Sequence, residues 1–164
     1  MSLSESPAWK PELDAIIGAR HGGQIDHVLG LLQKLDGRFP RVPEIAYQLA
    51  WTSDILGREA EAVPHYDRAI ALGLAPNELA GALLGLGSTL RHTGQLARSA
   101  EVLRSGRAQF PDNREFDVFL ALTLHALGQS ADAMKLLLLT LADTSEDPAI
   151  IAYQRAIRYQ ANRL

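Results

Sequence analysis

Five histidines are the residues of this sequence best suited to binding a metal or transferring protons near neutral pH. They are His21, His27, His65, His92 and His125. No two of them have the H-x-x-x-H spacing that would turn both rings toward one metal ion from a helix, and no HExxH motif occurs. The absence of cysteine excludes disulfides, thiolate metal sites and cysteine nucleophiles. We therefore predict that the protein holds no metal and no cofactor.

The carboxylates form no catalytic pair either. Glu59 and Glu61 are two residues apart, which places them on different sides of a helix, and no glycine-rich phosphate-binding loop is present. A net charge of -3 provides no basic surface for nucleic acid. Residues 1–10 lack the apolar core of a secretory signal, and the apolar run at Leu136–Leu139 is too short to span a membrane. We predict a cytoplasmic protein that is not an enzyme and binds neither nucleic acid nor membranes.

Glycines divide the sequence at nearly equal intervals, and these intervals indicate where its secondary-structure elements begin and end. Gly23, Gly57, Gly94 and Gly128 are separated by 34, 37 and 34 residues. On both sides of each glycine, apolar residues recur at intervals of three and four, as is typical of helices, and the glycine interrupts the run. The pattern predicts pairs of helices joined at the four glycines.

Residue size also repeats in register with these glycines. The positions seven before and five after each glycine carry mostly small residues, among them Ala50, Ala121, Ala62 and Ala133. The position nine after is large in every case: Leu32, Tyr66, Leu103 and Leu137. Small residues let two helices approach closely, and large residues fill the neighbouring gaps. The helices are therefore predicted to pack in a repeating array.

This pattern resembles the tetratricopeptide repeat, most clearly over Leu83–Pro111, where Phe110-Pro111 closes the second helix. The stretch Ala82–Leu138 is also similar to small bacterial repeat proteins whose partners are not established. The resemblance covers residues 9–147 and implies an all-α, right-handed α-solenoid of antiparallel helix pairs. We predict one domain, residues 1–164. Its parts are repeats at 9–42, 43–79, 80–113 and 114–147 and a capping helix at 148–162.

Two departures from the repeat lead to local predictions. The spacing of 37 places three extra residues near 73–77, where Gly73 and Pro76 predict a longer loop between repeats. Pro64 lies inside the second helix of the second repeat, where a proline removes a hydrogen bond. We expect that helix to begin late or to kink.

The end of the sequence predicts one more helix. Asp147-Pro148 provides an N-cap followed by a proline at the first helical position. We predict an apolar stripe that covers the last core face: Ile150, Tyr153, Ile157, Ala161 and Leu164. Polar residues are expected on the opposite side of this helix: Gln154, Arg155, Arg158, Gln160 and Asn162.

In the family that the sequence resembles, exposed positions on the first helix of each repeat bind the partner. Here the matching positions are Leu13, Ile17, Tyr47, Trp51, Leu84, Ser88, Val118 and Leu122, and the adjoining helix ends carry Arg20, Arg91 and His125. One branch of the family grips a C-terminal carboxylate with lysines and asparagines at these positions. Because seven of the first eight residues are apolar, that clamp is absent. The resemblance instead implies a largely apolar groove.

We therefore predict a scaffold that binds a peptide or helix of a partner protein in this concave groove. Tyr47 and Trp51 either face the partner or pack against neighbouring helices. The pairs Arg20-His21 and Arg91-His92 either form a cationic rim for an acidic partner or stabilise their own helix ends. The alternative function is homo-oligomeric self-assembly, for example as a homodimer. It would bury the groove or the leucine-rich segment around Leu136–Leu139.

Overall fold

A computed structural model describes residues 6–20 and 22–164 of the chain. His21 and residues 1–5 lie outside the described residues. Over the described part of the chain there are nine α-helices and no strand, so the fold is an all-α helical repeat. The helices are α1 (Lys10–Arg20), α2 (Ile25–Arg38), α3 (Pro43–Ile55), α4 (Glu59–Leu72), α5 (Pro76–His92), α6 (Leu96–Gln109), α7 (Glu115–Ala126), α8 (Ser130–Thr144) and α9 (Pro148–Ala161).

The four evenly spaced glycines form the turns within the helix pairs, as predicted. Their φ angles are positive: 86° at Gly23, 69° at Gly57, 78° at Gly94 and 79° at Gly128. A side chain would strain this left-handed backbone, whereas glycine adopts it freely. In every pair the second helix begins two residues after the glycine. The repeat spacing read from the sequence is therefore the spacing of these turns.

The chain divides into two compact units, one ending at Thr89 and the other beginning at Leu90. In the first unit α1 packs on α2, α2 on α3 and α3 on α4. Its buried core includes Leu13, Ile16, Val28, Leu29, Leu32, Leu35, Ile45 and Leu49. In the second unit α6 packs on α7, α7 on α8 and α8 on α9. Leu103, Phe116, Leu120 and Ala133 are buried there.

The alternation of small and large residues packs the helices as predicted, except at one position. Ala50, Ala62, Ala121 and Ala133 are all buried, as are Leu32, Tyr66 and Leu103. Leu137 holds the large position of the last repeat, yet it is exposed. Helix α9 contacts α8 at Ala142 and Asp143.

The structure corrects the prediction of a longer loop and the expected late start of α4. The loop between α4 and α5 contains only residues 73–75, so the three extra residues lengthen α5, which at 17 residues is the longest helix described. Pro76 opens this helix because its fixed φ suits the first turn. Helix α4 does not begin late: it starts at Glu59 and continues through Pro64. Packing of its buried residues, Tyr66 among them, offsets the missing hydrogen bond.

The predicted C-terminal helix forms, but its packed face differs from the predicted one. The Asp147 carboxylate caps it by accepting hydrogen bonds from the backbone N–H groups of Ala149 (2.8 Å) and Ile150 (3.1 Å). Ala161 is buried as expected and Ile150 and Ile157 are half-buried, whereas Tyr153 and Leu164 are exposed. Two residues predicted to lie on the polar side instead contact α8: Gln154 donates to the Ala142 carbonyl, and Arg158 pairs with Asp143. Helix α9 therefore packs with part of its predicted apolar stripe and with these two polar contacts to α8.

Candidate partner-binding surfaces

The exposed face of α3 carries the aromatic pair singled out by the sequence. Tyr47 and Trp51 are one helical turn apart, which brings residues i and i+4 together on the surface. Their rings are nearly parallel, with centroids 6.3 Å apart and planes 16° from each other. Trp51 is 41% exposed, and Ile55, one turn further along, is also exposed. Together these three residues form an apolar strip, called the α3 strip below.

Trp51 is held in place from the side of α1. The guanidinium carbon of Arg20 lies 4.0 Å from the centroid of the tryptophan ring, a cation–π contact. A nitrogen of the same group donates a 2.8 Å hydrogen bond to the buried side-chain oxygen of Gln48. Arg20 is only 8% exposed, and burial lowers the pKa of its guanidinium. The cationic-rim hypothesis is therefore wrong for Arg20. Its guanidinium is buried and packs against the ring of Trp51.

Tyr47 is half-buried and also belongs to the packing of the first unit. Its hydroxyl lies against Gly81 of α5, where a side chain would collide with it. Its ring also contacts the Tyr66 ring, with centroids 6.3 Å apart. Burial, and after it the charge of Glu78, raise the pKa of Tyr47. Each of the two alternatives thus applies to one member of the aromatic pair. Trp51 is exposed and can face a partner, whereas Tyr47 packs against neighbouring helices.

Beneath the α3 strip lies a polar cluster that the sequence analysis missed. The Tyr66 hydroxyl donates a 2.8 Å hydrogen bond to the Asp54 carboxylate, and the Thr89 hydroxyl donates to both oxygens of the same group. Burial and then the Asp54 charge raise the pKa of Tyr66, so the phenol stays protonated and keeps donating. The available signal was the threonine five residues before the glycine in three repeats: Thr52, Thr89 and Thr123.

The remaining predicted residues of the first unit are less accessible. Leu13 is 2% exposed and lies in the core, and Ile17 packs against the same core cluster. Leu13 cannot contact a partner in this structure, because it lies on the face of α1 that packs against the core of the first unit. Leu84 and Ser88 of α5 are half-buried.

In the second unit, α7 presents the corresponding positions. Val118 and Leu122, one turn apart, are 39% and 43% exposed. Exposed His125 lies near the helix end, with a ring nitrogen 3.1 Å from the Ser130 hydroxyl. Half-buried Arg91 lies 3.0 Å from a ring nitrogen of its neighbour His92. These basic side chains therefore make local contacts at helix ends.

Two further features of the described residues concern metal binding and membrane spanning. Within residues 6–20 and 22–164, no group of three or more histidine, aspartate or glutamate side chains could hold a metal ion. Among the described helices, none has the length and apolar character needed to cross a membrane.

Comparison with known proteins identifies the family. A family model described as "Tetratrico peptide repeat" matches residues 43–164, so the chain belongs to the tetratricopeptide repeat family. Members of this family generally serve as protein-interaction modules, and this chain is accordingly an interaction scaffold of the same class. No curated protein matches the sequence.

Several solved structures share the fold at low sequence identity. YrrB, described as a TPR protein with an unusual peptide-binding site, aligns with a TM-score of 0.74 and 16% identity over 96% of this chain and 75% of its own. MamA aligns with a TM-score of 0.75 and 17% identity over 94% and 86%. The Cut9–Hcn1 assembly of APC/C aligns with a TM-score of 0.75 and 16% identity over 93% and 29%.

Proposed function

We propose that the protein holds a peptide or helix of a partner protein against the exposed apolar faces of its first helices, with the α3 strip as the main contact. The observation that carries this proposal is the state of Trp51. The residue is 41% exposed, yet Arg20 and Tyr47 contact its ring and order it. A large aromatic side chain that is both exposed and rigid is typical of an interface hot spot. The peptide-binding site named for YrrB lends further support.

The energetics favour apolar or aromatic partner residues. Burial yields about 25 cal/mol per Å² of apolar surface, so covering the exposed parts of Trp51 and Ile55 supplies most of the affinity. Because Trp51 is ordered before binding, little side-chain entropy is lost there. A flexible peptide still loses entropy when it binds, and we expect dissociation constants of about micromolar. We do not expect acidic partner residues to pair with Arg20, because its side chain is buried.

A random-peptide display library tests this proposal. We expect peptides selected on the wild-type protein to be rich in leucine and aromatic residues and to bind Trp51→Ala at least about tenfold more weakly. Tyr153→Ala is the matched control, because Tyr153 is an aromatic residue of α9 with 68% exposure. Melting midpoints of both variants should stay close to that of the wild type. Selected peptides that bind Trp51→Ala as tightly as the wild type would show that the α3 strip is not the site.

A second candidate function, homo-oligomeric self-assembly, is supported by exposed residues of α8. Met134, Leu137 and Leu141 form a stripe at spacings of three and four, and all three are exposed. Analytical ultracentrifugation over a range of concentrations would detect such assembly. A dimer that dissociates in Leu137→Gln would favour this function, and a monomer at every concentration would exclude it.

A further inference from the structure

Two adjoining cavities open along α6 in the second unit, and we call them together the α6–α8 cleft. Residues of α6, α7 and α8 line the first cavity, and residues of α6, the following loop and the start of α7 line the second. The first has a volume of about 360 Å³, and its floor consists of leucines, Leu120, Leu124, Leu136 and Leu139. The second has a volume of about 340 Å³ and is lined by Arg114 and Asp117. Arg104 and Arg107 line both cavities. Volumes of this size are typical of sites that bind small ligands or single side chains, about 300–1,000 Å³.

A buried carboxylate holds the arginines of the second cavity in position. The side chain of Asp117 is 4% exposed and pairs with both Arg107 and Arg114. The same carboxylate accepts a 3.3 Å hydrogen bond from the Thr140 hydroxyl. Arg114 additionally pairs with Asp143 at 2.9 Å. The charge of Asp117 therefore keeps two guanidinium groups close to the second cavity before any ligand arrives, which lowers the entropic cost of binding an anion there.

The cleft carries an excess of positive charge that the protein itself does not neutralise. Four cationic side chains (Arg104, Arg107, Arg114 and Lys135) and two carboxylates (Asp117 and Asp132) line it. Asp143 also pairs with Arg114, so the excess comes from Arg104 and Lys135. Arg104 and Lys135 make no ion pair or hydrogen bond within the described part of the chain. In a chain of net charge -3, this local reversal of sign is a specific feature of the cleft.

The leucine floor adds a requirement that a simple anion does not meet. Leu120, Leu124 and Leu136 are buried, and half-buried Leu139 completes the floor next to Arg104 and Lys135. An apolar side chain placed there would exclude water from the nearby charges and strengthen their attraction for a carboxylate. The lining therefore favours a ligand with a bulky apolar group beside negative charge.

We propose that the α6–α8 cleft is a second docking site, which binds a peptide segment of a partner protein with a leucine-sized side chain flanked by aspartates or glutamates. The apolar side chain lies on the leucine floor, and the carboxylates pair with Arg104, Lys135 and the arginines held by Asp117. The site contains no residue of the α3 strip. It goes beyond the proposed function, because it adds an acidic-peptide site with its own specificity.

Three fluorescent probe peptides test the specificity of the cleft. The first has two leucines flanked by aspartates and glutamates, the second replaces the acids by asparagine and glutamine, and the third replaces the leucines by serine. We expect fluorescence anisotropy to show binding of the first peptide, and each replacement to weaken it by about tenfold or more. Binding should also weaken as salt rises. Equal binding of all three peptides, or no binding of the first, would overturn the proposal.

Matched variants of the protein test the location. Arg104→Glu should weaken binding of the first peptide by about tenfold, and Arg155→Glu, an equal change of charge at an exposed position of α9, should not. Leu139→Ser should weaken it as well, whereas Ile151→Ser, the same kind of change at an exposed apolar residue of α9, should have no effect. Trp51→Ala should bind this peptide as the wild type does, so failure of the α3 strip and failure of the cleft are distinguishable. If Arg155→Glu costs as much affinity as Arg104→Glu, the attraction is general and the cleft is not the site.

Other occupants give different results. If inorganic phosphate displaces the peptide more strongly than chloride at equal ionic strength, and if the serine peptide binds as well as the leucine peptide, the cleft is an anion site and the proposal is wrong. If sedimentation shows that Arg104→Glu dissociates a dimer, the occupant is a second copy of this chain, which also overturns the partner-peptide proposal.

Discussion

At the scale of the residue, the threonine five positions before the turn glycine has different surroundings in each repeat. Thr123 lies 3.0 Å from the Ser99 hydroxyl, and Thr89 donates to Asp54. Thr52 is buried, and its hydroxyl has no hydrogen-bond partner among the described residues. In the repeat register Val28 holds the place that Ser99 holds for Thr123, so the preceding repeat offers Thr52 an apolar neighbour. A buried hydroxyl without a partner destabilises the fold.

This difference predicts opposite results for one substitution at equivalent positions. Thr52→Val should leave stability unchanged or raise it by up to about 1 kcal/mol, because it removes an unsatisfied polar group. Thr89→Val should lower stability by about 1–3 kcal/mol, because it removes hydrogen bonds to a charged carboxylate. Urea denaturation measures both values. Equal losses in the two variants would contradict this account of the threonine positions.

A second residue-scale prediction concerns glycines inside helices. At Gly85 an added methyl group would lie 2.5 Å from the Tyr66 hydroxyl, whereas at Gly30 of α2 it would meet nothing within 4 Å. Gly85→Ala should therefore destabilise the protein by about 1–3 kcal/mol through overpacking. Gly30→Ala should stabilise it by up to about 1 kcal/mol, since alanine favours the helix. Thermal unfolding compares the two, and a stable Gly85→Ala would mean that Tyr66 can move at little cost.

At the scale of the element, α4 tolerates a proline in its interior. Pro64 has no N–H to donate to the carbonyl of Ala60, and it lies on the exposed side of the helix. Pro64→Ala should restore this hydrogen bond and stabilise the protein by about 1–3 kcal/mol. Chemical denaturation measures the gain, and Ala71→Ser on the same helix, also exposed, serves as a control. A loss of stability would show that the proline itself maintains the shape of α4.

The packing of α9 leads to a prediction about pH. Burial by itself would raise the pKa of Asp143, but hydrogen bonds and charges from Arg158 and Arg114 outweigh it and hold the pKa below its ordinary value of 3.8. A carboxylate whose pKa is lowered by folding stabilises the fold above its unfolded pKa, about 3.9, and this contribution is lost as pH falls through the folded pKa. Wild type should therefore exceed Asp143→Asn in stability at neutral pH, and the difference should vanish in acid.

Unfolding midpoints between neutral and strongly acidic pH measure this difference. Asp112→Asn is the control, because Asp112 is exposed and makes no ion pair within the described residues. The same difference for Asp143→Asn at every pH would mean that the charge of Asp143 is not what holds α9.

At the scale of the whole molecule, the two proposed sites lie in different compact units and share no residue. We expect Trp51→Ala to lose the peptides selected on the α3 strip and Arg104→Glu to lose the acidic-apolar peptide. The double variant should combine the two losses without further effect, because sites with no shared contacts act additively. Anisotropy titrations of both probes on all three variants check this. Loss of both probes in either single variant would indicate one common site.

Repetition made much of this protein predictable from its sequence. Four glycines in register and recurring small and large residues determined the helix pairs and their turns, because each repeat meets the same local packing problem. An N-cap aspartate followed by proline likewise determined where α9 begins. Local chemistry is sufficient for features of this kind.

Only the tertiary structure decided which of the predicted partner-binding residues are exposed to solvent. Leu13 and Trp51 both match partner-binding positions, yet Leu13 closes a core and Trp51 remains exposed on Arg20. The packed face of α9 follows from Asp143 and the Ala142 carbonyl on another helix. The α6–α8 cleft brings together residues from three helices, and the Asp117 carboxylate accepts a hydrogen bond from Thr140, 23 residues later. Side-chain burial and ion pairing depend on neighbours that are distant in sequence, and no local pattern contains that information.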